Sequence, residues 1–188
     1  MKKEISLNNL NIYLICFLPV CLFVGTLISN LTIIIIVFFY LLVCFKEKNF
    51  YFLKDYNFRF LIIIYLYLIC NAIFIAENNE SIIRAFGFIR FILLAYAISF
   101  YLNKNENKII KFWSFIFLIV SIDLMLEYFN GQNILGFSAD YPGRLAGFTG
   151  DELKIGGYYF GFIFLALSYF NNFNKKLFFI LLITFLIT

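Results

Sequence analysis

Residues 10 to 45 contain no charged side chain. As one helix this stretch would reach about 54 Å at about 1.5 Å per residue, against a hydrocarbon core about 30 Å thick. That overshoots what ordinary tilt absorbs. The stretch therefore reads as a helical hairpin turning near Ser29 and Asn30, with Pro19 kinking its first arm. Asn30-Leu31-Thr32 matches a glycosylation sequon, but a turn at the membrane surface is a poor acceptor, and the match is read as chance.

The rest of the chain repeats the pattern. Further apolar runs lie at roughly 58 to 76, 82 to 102, 109 to 129 and 156 to 170, and another begins at Leu177. With 63% hydrophobic and only 14% charged residues, against about 25% charged in an ordinary soluble domain, a soluble fold is excluded. The expectation is an all-α, polytopic transmembrane helix bundle with six full spans and a truncated seventh. The last run, Leu177 to Thr188, would reach only about 18 Å as a helix, too short to cross. Residues 1–188 thus read as a single integral membrane domain, the N-terminal portion of a longer protein.

Basic residues set the orientation. Lys2, Lys3, Lys46, Lys48, Lys54, Arg59, Lys104, Lys108, Lys111, Lys175 and Lys176, 11 of the 15, fall on one side of the predicted crossings. The positive-inside rule makes that side, and the N-terminus, cytoplasmic. Nucleic-acid binding is excluded because these lysines are short clusters between apolar runs. No small-x-small cleavage site follows the first run, so it reads as a retained span and not a signal peptide. The segment from 130 to 155 then forms an outward loop.

Chemistry is expected where the chain departs from oil. There is no histidine, and Cys16, Cys21, Cys44 and Cys70 all lie inside apolar runs as small core residues, so neither a metal nor a cofactor is expected. Arg84 and Arg90 lie in the fourth run and Asp123 and Glu127 in the fifth. Measured from Ile82 and Phe129, Arg84 and Glu127 sit about 3 Å deep, Asp123 about 9 Å and Arg90 about 12 Å. Antiparallel neighbours would bring these into two rough layers, each with one arginine and one acid, with at most one direct pair. Two readings stay open: structural ion pairs or snorkelling side chains, and a cationic pocket for a lipid-linked phosphate or diphosphate. In the loop, Gly131, Gly136, Gly143, Gly147, Gly150, Gly156 and Gly157 strip away side chains, and Arg144 offers a fork for phosphate oxygens, so the loop can cradle an anion. Thr149 and Glu152 form a capping-box pattern with Asp151 beside them, which competes with a catalytic use of these acids. Tyr128, Tyr141 and Tyr158 sit where rings could line a sugar site.

The run EYFNGQNILGF after Asp123, then RLAGFTGDELKIGGYY from Arg144, resembles the O-antigen polymerase and ligase family over about 35 residues, Asp123 to Tyr158. Members are bacterial inner-membrane proteins that act on undecaprenyl-diphosphate-linked glycans at the periplasmic face. The resemblance places Arg144, Gly147, Phe148, Asp151, Glu152 and Gly157 in the motif, with Asp123 and Gly136 before it. It implies transfer of an oligosaccharide from a polyprenyl diphosphate to a glycan or lipid acceptor. Arg144, with Arg84 or Arg90, would hold the diphosphate, and Asp123, Asp151 or Glu152 would orient or activate the acceptor. Family members usually have ten or more spans and a second large periplasmic loop, which this chain lacks. A transporter or flippase for a lipid-linked or anionic substrate is the competing expectation; Pro19 has no counterpart in the later runs to suggest the matched, interrupted helices of such folds.

Overall fold

The computed structural model describes residues 7–76, 78–138, 144–149 and 155–187. Among them every regular element is helical: α1 Leu7–Val24, α2 Thr26–Glu47, α3 Tyr56–Phe74, α4 Asn79–Gly87, α5 Ile89–Asn130, α6 Ile155–Phe173 and α7 Lys175–Ile187. Among the described residues four stretches are long and apolar enough to cross a membrane: α1, α2, α3 and the Asn79–Asn130 stretch. The expected count of six spans and a partial seventh is not reproduced at that level, because α4 and α5 count together and α6 and α7 do not qualify.

The hairpin turns earlier than expected. The break between α1 and α2 is Gly25, whose φ of +140 suits a residue without Cβ, while Ser29 and Asn30 lie inside α2. The sequon is helical as well: the Thr32 hydroxyl donates to the Ile28 carbonyl at 2.8 Å. Pro19 lies inside α1. The lysine-rich stretch after residue 102 is not a loop either. Within α5 two helices join across a kink at Asn105 (φ −145, ψ 39).

The chain packs as two compact units, Met1–Ile15 with Leu27–Lys104, and Cys16–Thr26 with Asn105–Thr188. In the first, the buried Asn11 amide donates to the Ile36 carbonyl at 3.1 Å and ties α1 to α2. Asp55 caps α3 through the Asn57 amide and accepts the Tyr96 hydroxyl at 2.7 Å, beside a cluster of Tyr40, Phe52, Phe58 and Tyr96 rings. Helix α3 is apolar all round yet buries only Phe58 and Ala72, the pattern of a helix whose solvent is lipid. Of the cysteines, Cys16 and Cys44 are buried as expected, whereas Cys70 is exposed on α3.

The second unit has the denser core. Tyr159, Ile163, Ala166 and Phe170 recur at helical spacing on α6 and pack with Phe117, Leu124 and Leu181 from α5 and α7. Two hydroxyls inside this core are paired: Tyr159 donates to Thr184 at 3.0 Å, and Ser121 to the Phe117 carbonyl at 2.9 Å. Phe170 is 0% exposed and Phe160, on the same helix, 66%. Phe170→Ala should therefore destabilise the protein by about 3–5 kcal/mol, while Phe160→Ala should stay within about 0.5 kcal/mol. Thermal unfolding of both variants in detergent micelles checks the difference.

Candidate functional site

The polar residues of the second unit converge where α5 ends. Helix α5 stops because Gly131 takes a positive φ of +76 and returns its amide to the Glu127 carbonyl at 2.7 Å, a glycine cap. The chain then folds into a tight turn over residues 133 to 137, organised by Asn133. Its Oδ1 accepts the Leu135 and Phe137 amides at 3.0 and 2.7 Å, and its own backbone amide donates to the Phe137 carbonyl at 2.9 Å. Gly136 (φ +81) supplies the left-handed step, with open space where a Cβ would stand.

Two carboxylates one helical turn apart on α5 meet this loop. Asp123, 0% exposed, accepts the Ile134 amide on Oδ1 at 2.9 Å; its Oδ2 is buried without a hydrogen-bond partner among the described residues. Glu127, 3% exposed, accepts the Ala146 amide on Oε1 and the Gly147 amide on Oε2, both at 2.7 Å. The Asn133 side-chain amide donates to the Gly147 carbonyl at 2.6 Å. Helix end, turn and the segment after Arg144 are thus fastened to one another through buried side chains.

This arrangement revises the expected roles. The layered ion pairs are replaced by other partners: Glu127 is filled by backbone amides, and Arg84 pairs with Glu80 at 3.1 Å on α4, where both side chains are exposed. Arg90 is half-buried in the first unit, its guanidinium carbon 4.9 Å from the Phe91 ring centroid and its Nε without a hydrogen-bond partner among the described residues. The amides of residues 146 and 147 do not cradle an external anion, because Glu127 already occupies them. Arg144 itself is exposed, two residues before the clamp. Tyr158 packs inward, its ring 4.1 Å from Phe23 and 4.8 Å from Phe162, so it does not line an open sugar site.

Asp151 and Glu152, with Gly143, Gly150 and Tyr141, lie outside the described residues. Thr149, next to them, donates its hydroxyl to the Ala146 carbonyl at 2.8 Å, closing a 3-10 turn over Gly147–Thr149. No cluster of metal-ligating side chains occurs among the described residues. Asn133 had no separate standing in the sequence; the Asn-x-x-Gly spacing of a side-chain-stabilised turn was the available signal. No protein-family model, curated protein or solved structure matches the chain.

The motif glycines are not equivalent. Gly147 has φ +53, and a Cβ there would lie 3.0 Å from Leu124 Cδ2 and 3.1 Å from Ile155 Cγ1; Gly157 sits in the first turn of α6 with nothing within 4 Å. Gly147→Ala should destabilise by about 2 kcal/mol, from the left-handed backbone and the tight fit. Gly157→Ala should stabilise by about 0.5–1 kcal/mol, because alanine is the better helix former. Unfolding midpoints of the two variants in micelles should move in opposite directions.

Proposed function

We propose that this chain is part of a membrane glycosyl-transfer protein of the O-antigen polymerase or ligase kind, acting at the outward face of a bacterial inner membrane. In this reading α1, α2, α3, the two arms of the Asn79–Asn130 stretch and α6 are six crossings, α7 begins a seventh, and the N-terminus is cytoplasmic. The donor is an undecaprenyl-diphosphate-linked oligosaccharide. The acceptor is a sugar hydroxyl on a glycan or lipid.

The observation that supports it is the anchoring of an exposed arginine. Arg144 sits in a non-helical segment, yet hydrogen bonds of 2.6, 2.7 and 2.7 Å fasten that segment, two and three residues on, to the buried side chains of Asn133 and Glu127. A loop held this way on a helical scaffold is where a binding group gains precision. A guanidinium offers paired donors to the oxygens of a diphosphate.

The chemistry follows. The acceptor oxygen attacks the anomeric carbon of the donor, the bond from that carbon to the diphosphate oxygen breaks, and polyprenyl diphosphate leaves with the bonding electron pair. Arg144 stabilises the charge on that leaving group. The acceptor proton passes to a carboxylate. Asp123 is fully buried and holds the Ile134 amide, which suits it to fixing the turn; Asp151 and Glu152 in the motif are assigned the proton. No step needs a metal or a soluble cofactor.

Arg144→Ala in the full-length protein should reduce polymer or ligated product by about 100-fold or more, while the lipid-linked repeat accumulates. Gel analysis of surface glycan beside extracted lipid-linked sugar reads both. Normal glycan ladders from a well-expressed Arg144→Ala protein would overturn the assignment.

A further inference from the structure

Glu127 and Asn133 are buried side chains that both bind the segment after Arg144. We infer that the two are positioning residues, a clamp that sets where Arg144 presents its guanidinium. This deepens the reading above and rests on it.

Four observations carry it. The two Glu127 oxygens take successive amides, Ala146 and Gly147, at the same 2.7 Å, which fixes the orientation of that peptide as well as its distance. Asn133 grips the far side of the same residue through the Gly147 carbonyl at 2.6 Å, and it is rigid because its Oδ1 accepts the Leu135 and Phe137 amides. Glu127 is 3% and Asn133 6% exposed, so neither competes with solvent for these bonds or is available to touch a substrate. Gly147, with φ +53 against Leu124 and Ile155, lets the backbone come close enough to be gripped from both sides.

Glu127→Gln separates the roles. A glutamine oxygen can accept one amide, but its NH2 then faces the other as donor against donor. Hydrogen exchange in the full-length protein in micelles should show the Ala146 and Gly147 amides exchanging about 10- to 100-fold faster than in the wild type, with α6 unchanged. Affinity for undecaprenyl diphosphate, measured on the same preparation, should fall about 10-fold. Asn133→Ala, which adds no charge and removes the grip on the Gly147 carbonyl, should move both readouts in the same direction and carries the test where Glu127→Gln does not fold. Unchanged exchange at 146 and 147 in either folded variant overturns the clamp. Faster exchange with unaltered affinity, where Arg144→Ala lowers affinity, overturns its positioning role while leaving the functional reading intact. An Arg144→Ala protein that binds undecaprenyl diphosphate as well as the wild type sinks the functional reading instead.

Discussion

A buried amide without an acceptor costs about 1–3 kcal/mol, and a buried carboxylate without donors costs more. At the end of α5 each deficit removes the other. Ala146 and Gly147 can be buried because Glu127 receives their amides, and Glu127 can be 3% exposed because both of its oxygens are used. Asp123 does the same on a smaller scale with Ile134. Two carboxylates at i and i+4 would repel on an isolated helix; here each is answered by backbone donors that the loop must place somewhere. The turn over residues 133–137, the left-handed Gly147 and the packing of Leu124 on Ile155 all follow from that exchange.

The helices were readable because apolar runs of this length have few alternatives, and each predicted run overlaps a helix. Their breaks were less readable. Between residues 10 and 45 every candidate turn is surrounded by equally apolar residues, so periodicity gives no mark, and the turn fell to Gly25, where a φ of +140 is tolerated, and not to the more polar Ser29 and Asn30. Around Asn105 the opposite happened. Lysines and asparagines reveal where water is, but helical bonding resumes after a single irregular residue, because charged side chains reach solvent from a helix as easily as from a loop.

In the candidate site, the sequence misassigned the forces. Arg144, Gly136 and Gly147 stood out because a guanidinium and glycines are conspicuous among apolar residues. Glu127 was matched with arginines, since charges in an apolar setting suggest ion pairs, whereas its partners are the amides of Ala146 and Gly147, which no side-chain pattern announces. Asn133 escaped notice for the same reason: among the described residues its side-chain hydrogen bonds are to backbone atoms. A buried polar side chain near a loop finds backbone first, because every residue but proline offers a donor and an acceptor there.

The same exchange limits how this loop can meet an anion. Successive amides next to a left-handed glycine are the kind of concavity that binds phosphate, but at residues 146 and 147 the molecule's own carboxylate fills it. A phosphate approaching from that side would have to displace bonds of 2.7 Å and face the charge of Glu127. Under the proposed function, anion recognition would therefore fall to a side chain and not to the backbone, and Arg144 is exposed two residues before the clamp. A long side chain loses entropy on being ordered, and a fixed base reduces the part of that loss that comes from its own backbone. Under the proposed function, an acid buried beneath the loop would therefore do more for an anionic substrate than its sign suggests: it would repel the substrate from below and steady the arginine proposed to receive it.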